Sequence, residues 1–226
     1  MKDKPTYLGH RKRLKEKYKT AGIDGWLDYE ILELLLGFTI ARKDTKPMAK
    51  DLLAKYKTLS GVLDADISGL VKVKGISEHS ALLLKLIKDT ARLYHKQPLK
   101  ELDIVANPEG AVSYLLSALR GCREEQFHVL FLNKKNSLVA AETLQKGTID
   151  SSVVYPRNIV ERALHNGATG VIISHNHPSG SVKPSRQDLE VTESVKKALA
   201  TVDVELIDHI VIAGSEYCSL KREGLF

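Results

Sequence analysis

Apolar residues recur at a helical period through the first hundred positions of the chain and at strand spacing after them. Between residues 8 and 96, Leu32, Leu35 and Leu36 fall on one helix, Met48, Leu52 and Leu53 on a second, and Leu82, Leu83, Leu84, Leu86 and Ile87 on the longest. Turns containing Gly22, Gly25, Gly37, Gly61 and Gly75 separate these segments. A linker at 95–107 holds Pro98 and leads to Pro108, after which the spacing predicts a helix over Glu109–Leu119. Runs rich in Val, Ile and Leu then predict strands at 127–132, 138–144, 168–174 and 202–213, with helices at 157–165 and 185–199 between them. Alternating strands and helices behind an all-helical stretch predict two domains: helical over residues 1–100, α/β over residues 101–226. No long-period repeat and no low-complexity tract interrupts this division.

The chain has 226 residues, 43% of them apolar, which is enough for one large core or two small ones. Its most apolar runs, Ile31 to Ile40 and Gly170 to Ser174, are far shorter than the roughly 18 to 20 residues a bilayer span needs, so no membrane association is expected. Residues 1–19 are basic and lack the apolar run of a secretory signal, which points to the cytoplasm. Cys122 and Cys218 match no metal or redox spacing and read as isolated thiols.

Charge divides where the period divides. Residues 1–100 hold 21 Lys and Arg against 12 Asp and Glu, and residues 101–226 hold 13 against 16. The excess is densest at Lys2, Lys4, Arg11, Lys12, Arg13, Lys15, Lys17 and Lys19. A basic face of this kind suits nucleic acid, or keeps a solvated surface soluble. Within the basic half, Lys72, Lys74, Gly75 and Ser77 form a tight turn before the longest helix. Such a turn exposes backbone N–H groups that can hold a phosphate without reading a base. It resembles a helix-hairpin-helix, with Ser77 where that motif usually has a second Gly. The other reading is an ordinary interhelical turn with Ser77 as the helix cap.

The segment richest in chemistry is Ser174-His175-Asn176-His177-Pro178-Ser179-Gly180, continued by Pro184-Ser185-Arg186-Gln187-Asp188. Two histidines at i and i+2 beyond an apolar strand project to one side, and the Pro- and Gly-containing loop can return a carboxylate toward them. Imidazole nitrogens plus one carboxylate oxygen suit Zn²⁺, and three protein ligands leave a position for water, as at catalytic zinc sites. Ser185 to Asp188 also fits a helix capping box, which would place Asp188 in the first helical turn.

This string is similar to the JAB/MPN metalloprotease (JAMM) motif. With Gly147-Thr148, Tyr155-Pro156-Arg157 and Leu206-Ile207-Asp208-His209 it resembles the RadC family in particular, as do Leu27-Asp28-Tyr29-Glu30 and Arg42 to Pro47 in the helical half. Asn158 departs from the Glu common in relatives. The resemblance implies a three-layer α/β JAB/MPN-type (cytidine-deaminase-like) domain preceded by a small all-helical domain. It further implies zinc on His175, His177 and Asp188, an oxyanion donor in Ser185, and a glutamate base at the start of the first strand. Glu125 occupies that place, with Glu124 as the alternative; Glu142 and Glu161 fit it less well. His209 is left outside the ligand set as a packed residue.

The implied activity is hydrolysis of a peptide or isopeptide bond in a protein or peptide substrate, with DNA-backbone contact through the helical domain. Two other readings compete with it. One is a DNA repair accessory or DNA-binding protein whose metal site is non-catalytic, and the other is a metal-dependent nuclease. A nucleobase deaminase is disfavoured because the chain lacks its Cys-x-x-Cys ligands.

Overall fold

The computed structural model of the chain describes residues 9–41, 43–146 and 155–226. Lys2, Lys4, Arg42 and the Gly147-Thr148 pair lie outside the described residues. The chain divides into two compact units between Thr90 and Ala91.

The first unit contains α1 (His10–Ala21), α2 (Asp28–Thr39), α3 (Lys46–Tyr56), α4 (Leu59–Asp64), α5 (Ile67–Leu70) and most of α6 (Glu78–Lys96). Its core gathers Leu32 and Leu36 from α2, Leu52 from α3, Val62, Leu70 and Leu84, all fully buried. Local chemistry starts these short helices. The side chains of Thr58 and Asp66 accept the amides of Gly61 and Gly69, and Pro47 stands in the first turn of α3, where its missing N–H has no partner to lose.

The helix α6 continues to Lys96 and is followed by a 3-10 turn, Gln97–Lys100. The stretch expected to be a linker is therefore ordered, and Leu99 and Ile104 are buried in the core of the second unit. Two apolar residues five positions apart give no period, so their burial could not be read from the pattern.

The second unit comprises α7 (Pro108–Leu119), β1 (Gln126–Leu132), β2 (Leu138–Lys146), α8 (Pro156–His165), β3 (Gly170–Asn176), α9 (Arg186–Ala200), β4 (Glu205–Ala213) and β5 (Glu216–Ser219). One sheet runs in the order β2-β1-β3-β4-β5, with β3 and β4 parallel and the other neighbours antiparallel. A parallel pair needs a long crossover, and α9 supplies it. Leu130, Leu132, Ile172, Ile210 and Ile212 pack one face of the sheet with Tyr114, Leu115 and Leu119 of α7. Phe127, Val129, Phe131, Val171 and Ile173 pack the other with Ile159 and Ala163 of α8 and Val195 and Leu199 of α9. The result is the three-layer α/β fold of the JAB/MPN kind, following the helical unit in the chain.

Three departures from the expected elements matter for the site. β3 starts and ends two residues later than the spacing predicts, so His175 and Asn176 are strand residues held by the ladder to β1. β4 starts later, because Asp203 adopts a positive φ of 56° in the turn before it. β4 also carries an irregularity opposite Val171 and Ile172, whose partners are Leu206 and Asp208 and skip Ile207. An extra residue shifts the alternation by one. Leu206 before the bulge thus packs with the α8/α9 layer, and Ile210 and Ile212 beyond it pack with α7, leaving His209 on the α9 side.

Candidate metal centre

The end of β3 delivers the two histidines. His175 is the partner of Phe127 in the ladder, and the two rings stack with centroids 6.4 Å apart and planes 6° from parallel. His177 follows just past the strand, where its backbone N–H donates to the carbonyl of Ile212 over 2.8 Å. Asp188 comes from the first turn of α9. The Ser185 hydroxyl accepts the Asp188 amide at 3.1 Å, and the Asp188 carboxylate accepts the Ser185 amide at 2.6 Å. The capping box and the carboxylate's approach to the histidines thus occur together.

These side chains converge. His175 Nε2 lies 2.8 Å from His177 Nε2 and 3.1 Å from Asp188 Oδ1, and His177 Nε2 lies 3.4 Å from Asp188 Oδ2. Glu125 approaches from the loop before β1, its Oε1 3.9 Å from His175 Nε2. One ligand atom from each of Glu125, His175, His177 and Asp188 lies within 4.8 Å of all the others. Asp188 and His175 are 4% and 2% exposed, so the cluster is largely shielded from water.

The donor chemistry fits a cation. His177 Nδ1 is 2.7 Å from the carbonyl oxygen of Ser181. A carbonyl only accepts, so Nδ1 carries the proton and a neutral His177 faces the cluster with a bare Nε2. Two nitrogens and a carboxylate gathered this tightly need positive charge among them, either a proton or a metal ion. The charges respond accordingly. Burial alone would raise the Asp188 carboxyl, but hydrogen bonds and charge from His175 and His177 dominate and hold it far below the ordinary range. Asp188 raises His177, chiefly by hydrogen bonding and against its partial burial. Burial raises Glu125, opposed by the nearby imidazoles. A partly desolvated carboxylate of this kind is a better base than a free one.

Asn176, between the two histidines, aims its side chain at the other approach to the site. Its Oδ1 accepts the amide of Gln126 at 2.9 Å, and its Nδ2 donates to the carbonyls of Glu124 and Cys122 at 3.1 and 3.4 Å. The peptide groups on both sides of Glu125 are thereby tied to β3. Glu124 itself is exposed and offers the site only its backbone carbonyl. Nothing in the local sequence marks Asn176, since its partners lie about fifty residues away.

His209, expected to be only a packed residue, is also a partner of the site. It is fully buried, 2.8 Å from His175 Nδ1 through its Nε2, and burial pushes it well below the ordinary histidine range. The remaining candidates stand elsewhere. Lys72, Lys74, Gly75 and Ser77 are exposed residues of the first unit, where Gly75 has a φ of 88° and the Ser77 hydroxyl accepts the amide of Ser80 at 3.3 Å. Ser77 thus caps α6. Glu142 is engaged by Arg162 and Asn166, away from the cluster.

Comparison with known proteins now bears on this geometry. The family model described as a RadC-like JAB domain matches residues 105–225, which include the whole cluster. The chain belongs to the RadC family. A relative, UPF0758 protein FN0909 of Fusobacterium nucleatum subsp. nucleatum, is 38% identical over 224 residues, covering 96% of this chain and 97% of its own. The likeness therefore includes the helical unit of this RadC protein as well as its JAB domain. Among the described residues, no helix is long and apolar enough to cross a membrane.

Proposed function

We propose that this RadC protein is a zinc-dependent hydrolase that cleaves a peptide or isopeptide bond. The observation carrying the proposal is the convergence of Glu125 and His177, both partly exposed, with the buried His175 and Asp188. Three of these donors form the mixed nitrogen and oxygen set that suits zinc, and the fourth is a carboxylate raised by burial. A bound zinc ion would lower the pKa of a water toward neutrality and polarise a carbonyl.

The residues of the chain supply the rest. Glu125 takes the proton of the attacking water and returns it to the leaving amine, a role that its raised pKa favours. The Ser185 hydroxyl spends its lone pair on the Asp188 amide and keeps its own proton to donate to the developing oxyanion. Asn176 fixes the peptide groups on either side of Glu125, so the base is held in place before substrate arrives. The partner is thus a protein or peptide with an accessible amide. In the helical unit, Lys72 and Lys74 beside the Gly75 turn would contact a nucleic-acid backbone.

The test is hydrolysis of a peptide and isopeptide panel by zinc-reconstituted protein and its Glu125→Gln variant. Turnover in the wild type that falls by about 10²-fold or more in Glu125→Gln, at unchanged metal content, supports the reading. Equal turnover in both proteins would remove Glu125 as the base.

A further inference from the structure

The metal-facing state of His175 depends on residues that are not ligands. His175 Nδ1 lies 2.8 Å from His209 Nε2, His209 Nδ1 lies 2.6 Å from Thr192 Oγ1, and Thr192 Oγ1 lies 2.5 Å from the backbone carbonyl of Asp188. Only the last contact has a fixed direction, because a carbonyl has no proton to give. Thr192 must donate there. Its hydroxyl has one proton, so toward His209 it accepts, and His209 Nδ1 carries a proton. A fully buried imidazole beside a second imidazole is neutral and has one ring proton, so His209 Nε2 is bare and accepts from His175 Nδ1. His175 therefore turns an unprotonated Nε2 toward His177 and Asp188.

The opposite order fails at its first link. A Thr192 hydroxyl donating to His209 would leave two acceptor oxygens 2.5 Å apart, and would end with a proton on His175 Nε2, where a metal ligand needs a lone pair. We infer that Thr192 and His209 are positioning residues that set the tautomer of His175 from the backbone of Asp188, making one ligand's helix turn specify the other's proton. The two histidines reach the same state by different means. His177 is set by one loop carbonyl, that of Ser181, whereas His175 is set by a chain through α9 and β4. The bulge in β4 belongs to this device, because it brings His209 onto the face that meets Thr192.

The inference rests on the metal-centre reading, and its test separates the two. Zinc affinity is measured on the full chain by competition with a chromophoric chelator, alongside the visible spectrum of the cobalt-loaded protein. Thr192→Val keeps the shape and removes the hydroxyl, and is expected to weaken zinc by about 10- to 100-fold, the usual range for an outer partner of a ligating histidine. Thr192→Ser restores the hydroxyl and should return affinity to within a few-fold of wild type. His209→Gln, which keeps an acceptor opposite His175 Nδ1, should bind zinc more tightly than His209→Leu. In metal-free wild type at pH 8, long-range ¹H–¹⁵N spectra should show His175 protonated at Nδ1, a readout that needs no variant. Unaltered zinc affinity in Thr192→Val, or a His175 whose Nδ1 lacks the proton, overturns the inference while leaving the metal centre standing. Failure of wild type to bind zinc overturns both.

Discussion

Two helices of this chain begin with the same device and end up in different chemistry. Ser77 caps α6 by accepting the amide of Ser80 at 3.3 Å, and Ser185 caps α9 by accepting the amide of Asp188 at 3.1 Å. In both, the capped residue is three positions on and is buried. The difference lies in what that residue faces. The Ser80 hydroxyl meets those of Ser77 and Thr39, at 3.2 and 2.9 Å, and Thr39 donates onward to the Leu36 carbonyl, so the network is satisfied by neutral groups. The Asp188 carboxylate meets two imidazoles, and the arrangement closes only when a positive charge joins it. A helix cap is structural by default, and becomes part of a site when its partner is ionisable and packed against other ionisable groups.

The largest effect should come from breaking the second cap. Asp188→Ala removes a proposed ligand, the reciprocal cap and the counter-charge of His177 together. It is expected to abolish zinc retention and to destabilise the protein by about 3 kcal/mol in chemical denaturation, as for a buried ion pair that loses one member. Ser77→Ala should cost only about 1 kcal/mol and leave zinc affinity unchanged. Equal losses of stability in the two variants would erase the distinction.

Asn176→Ala comes next, because it breaks three contacts around Glu125 without touching a ligand atom. A loss of about 2 kcal/mol is expected from backbone groups left without partners. Zinc content should stay at the wild-type level while turnover falls at least about tenfold, the signature of a displaced base. Loss of zinc in this variant would show that Asn176 supports the ligands instead.

Acid should also separate the two caps. His177 is raised by Asp188, so the pair stabilises the metal-free protein fully below the ordinary histidine value of 6.5, and this contribution is lost as pH climbs through the raised value. Asp188 is depressed, so its share persists above the ordinary 3.8 and disappears only in strong acid. A zinc ion held as proposed would compete with the His177 proton. The rise in melting temperature on adding zinc should therefore grow between pH 5.5 and pH 8, with no such trend in His177→Ala. A zinc effect that is flat with pH would mean that the ion does not use His177 Nε2.

Much of this was legible in the chain, because it lay in local pattern. Period separated the helical stretch from the α/β stretch, and His175, His177 and Asp188 lie within fourteen positions of one another. The resemblance points to a glutamate at the start of the first strand, Glu125 with Glu124 as the alternative, and in the fold Glu125 shares the cluster while Glu124 is exposed. What was not legible is tertiary. β5 has four residues, too few to show an alternation. The partners of Asn176 and the bulge that lets His209 reach Thr192 arise from strand pairing, which single-residue properties do not encode. His209 looked like a packed residue and is one; its hydrogen bonds, which composition cannot show, connect it to the site.

The smallest expected effect concerns the Gly75 turn. Neutralising Lys72 and Lys74 should reduce the salt slope of any DNA binding by about two, with no change at the metal centre. A slope that does not move would assign these lysines to a solvated surface.

The central claim is that the second cap closes on a metal ion. It is tested most directly by the zinc content of purified, zinc-reconstituted protein, determined by inductively coupled plasma mass spectrometry beside His177→Ala and Asp188→Ala. Near-stoichiometric zinc is expected in wild type and background levels in both variants. Wild-type protein without zinc at neutral pH, or variants that retain it, would contradict the account.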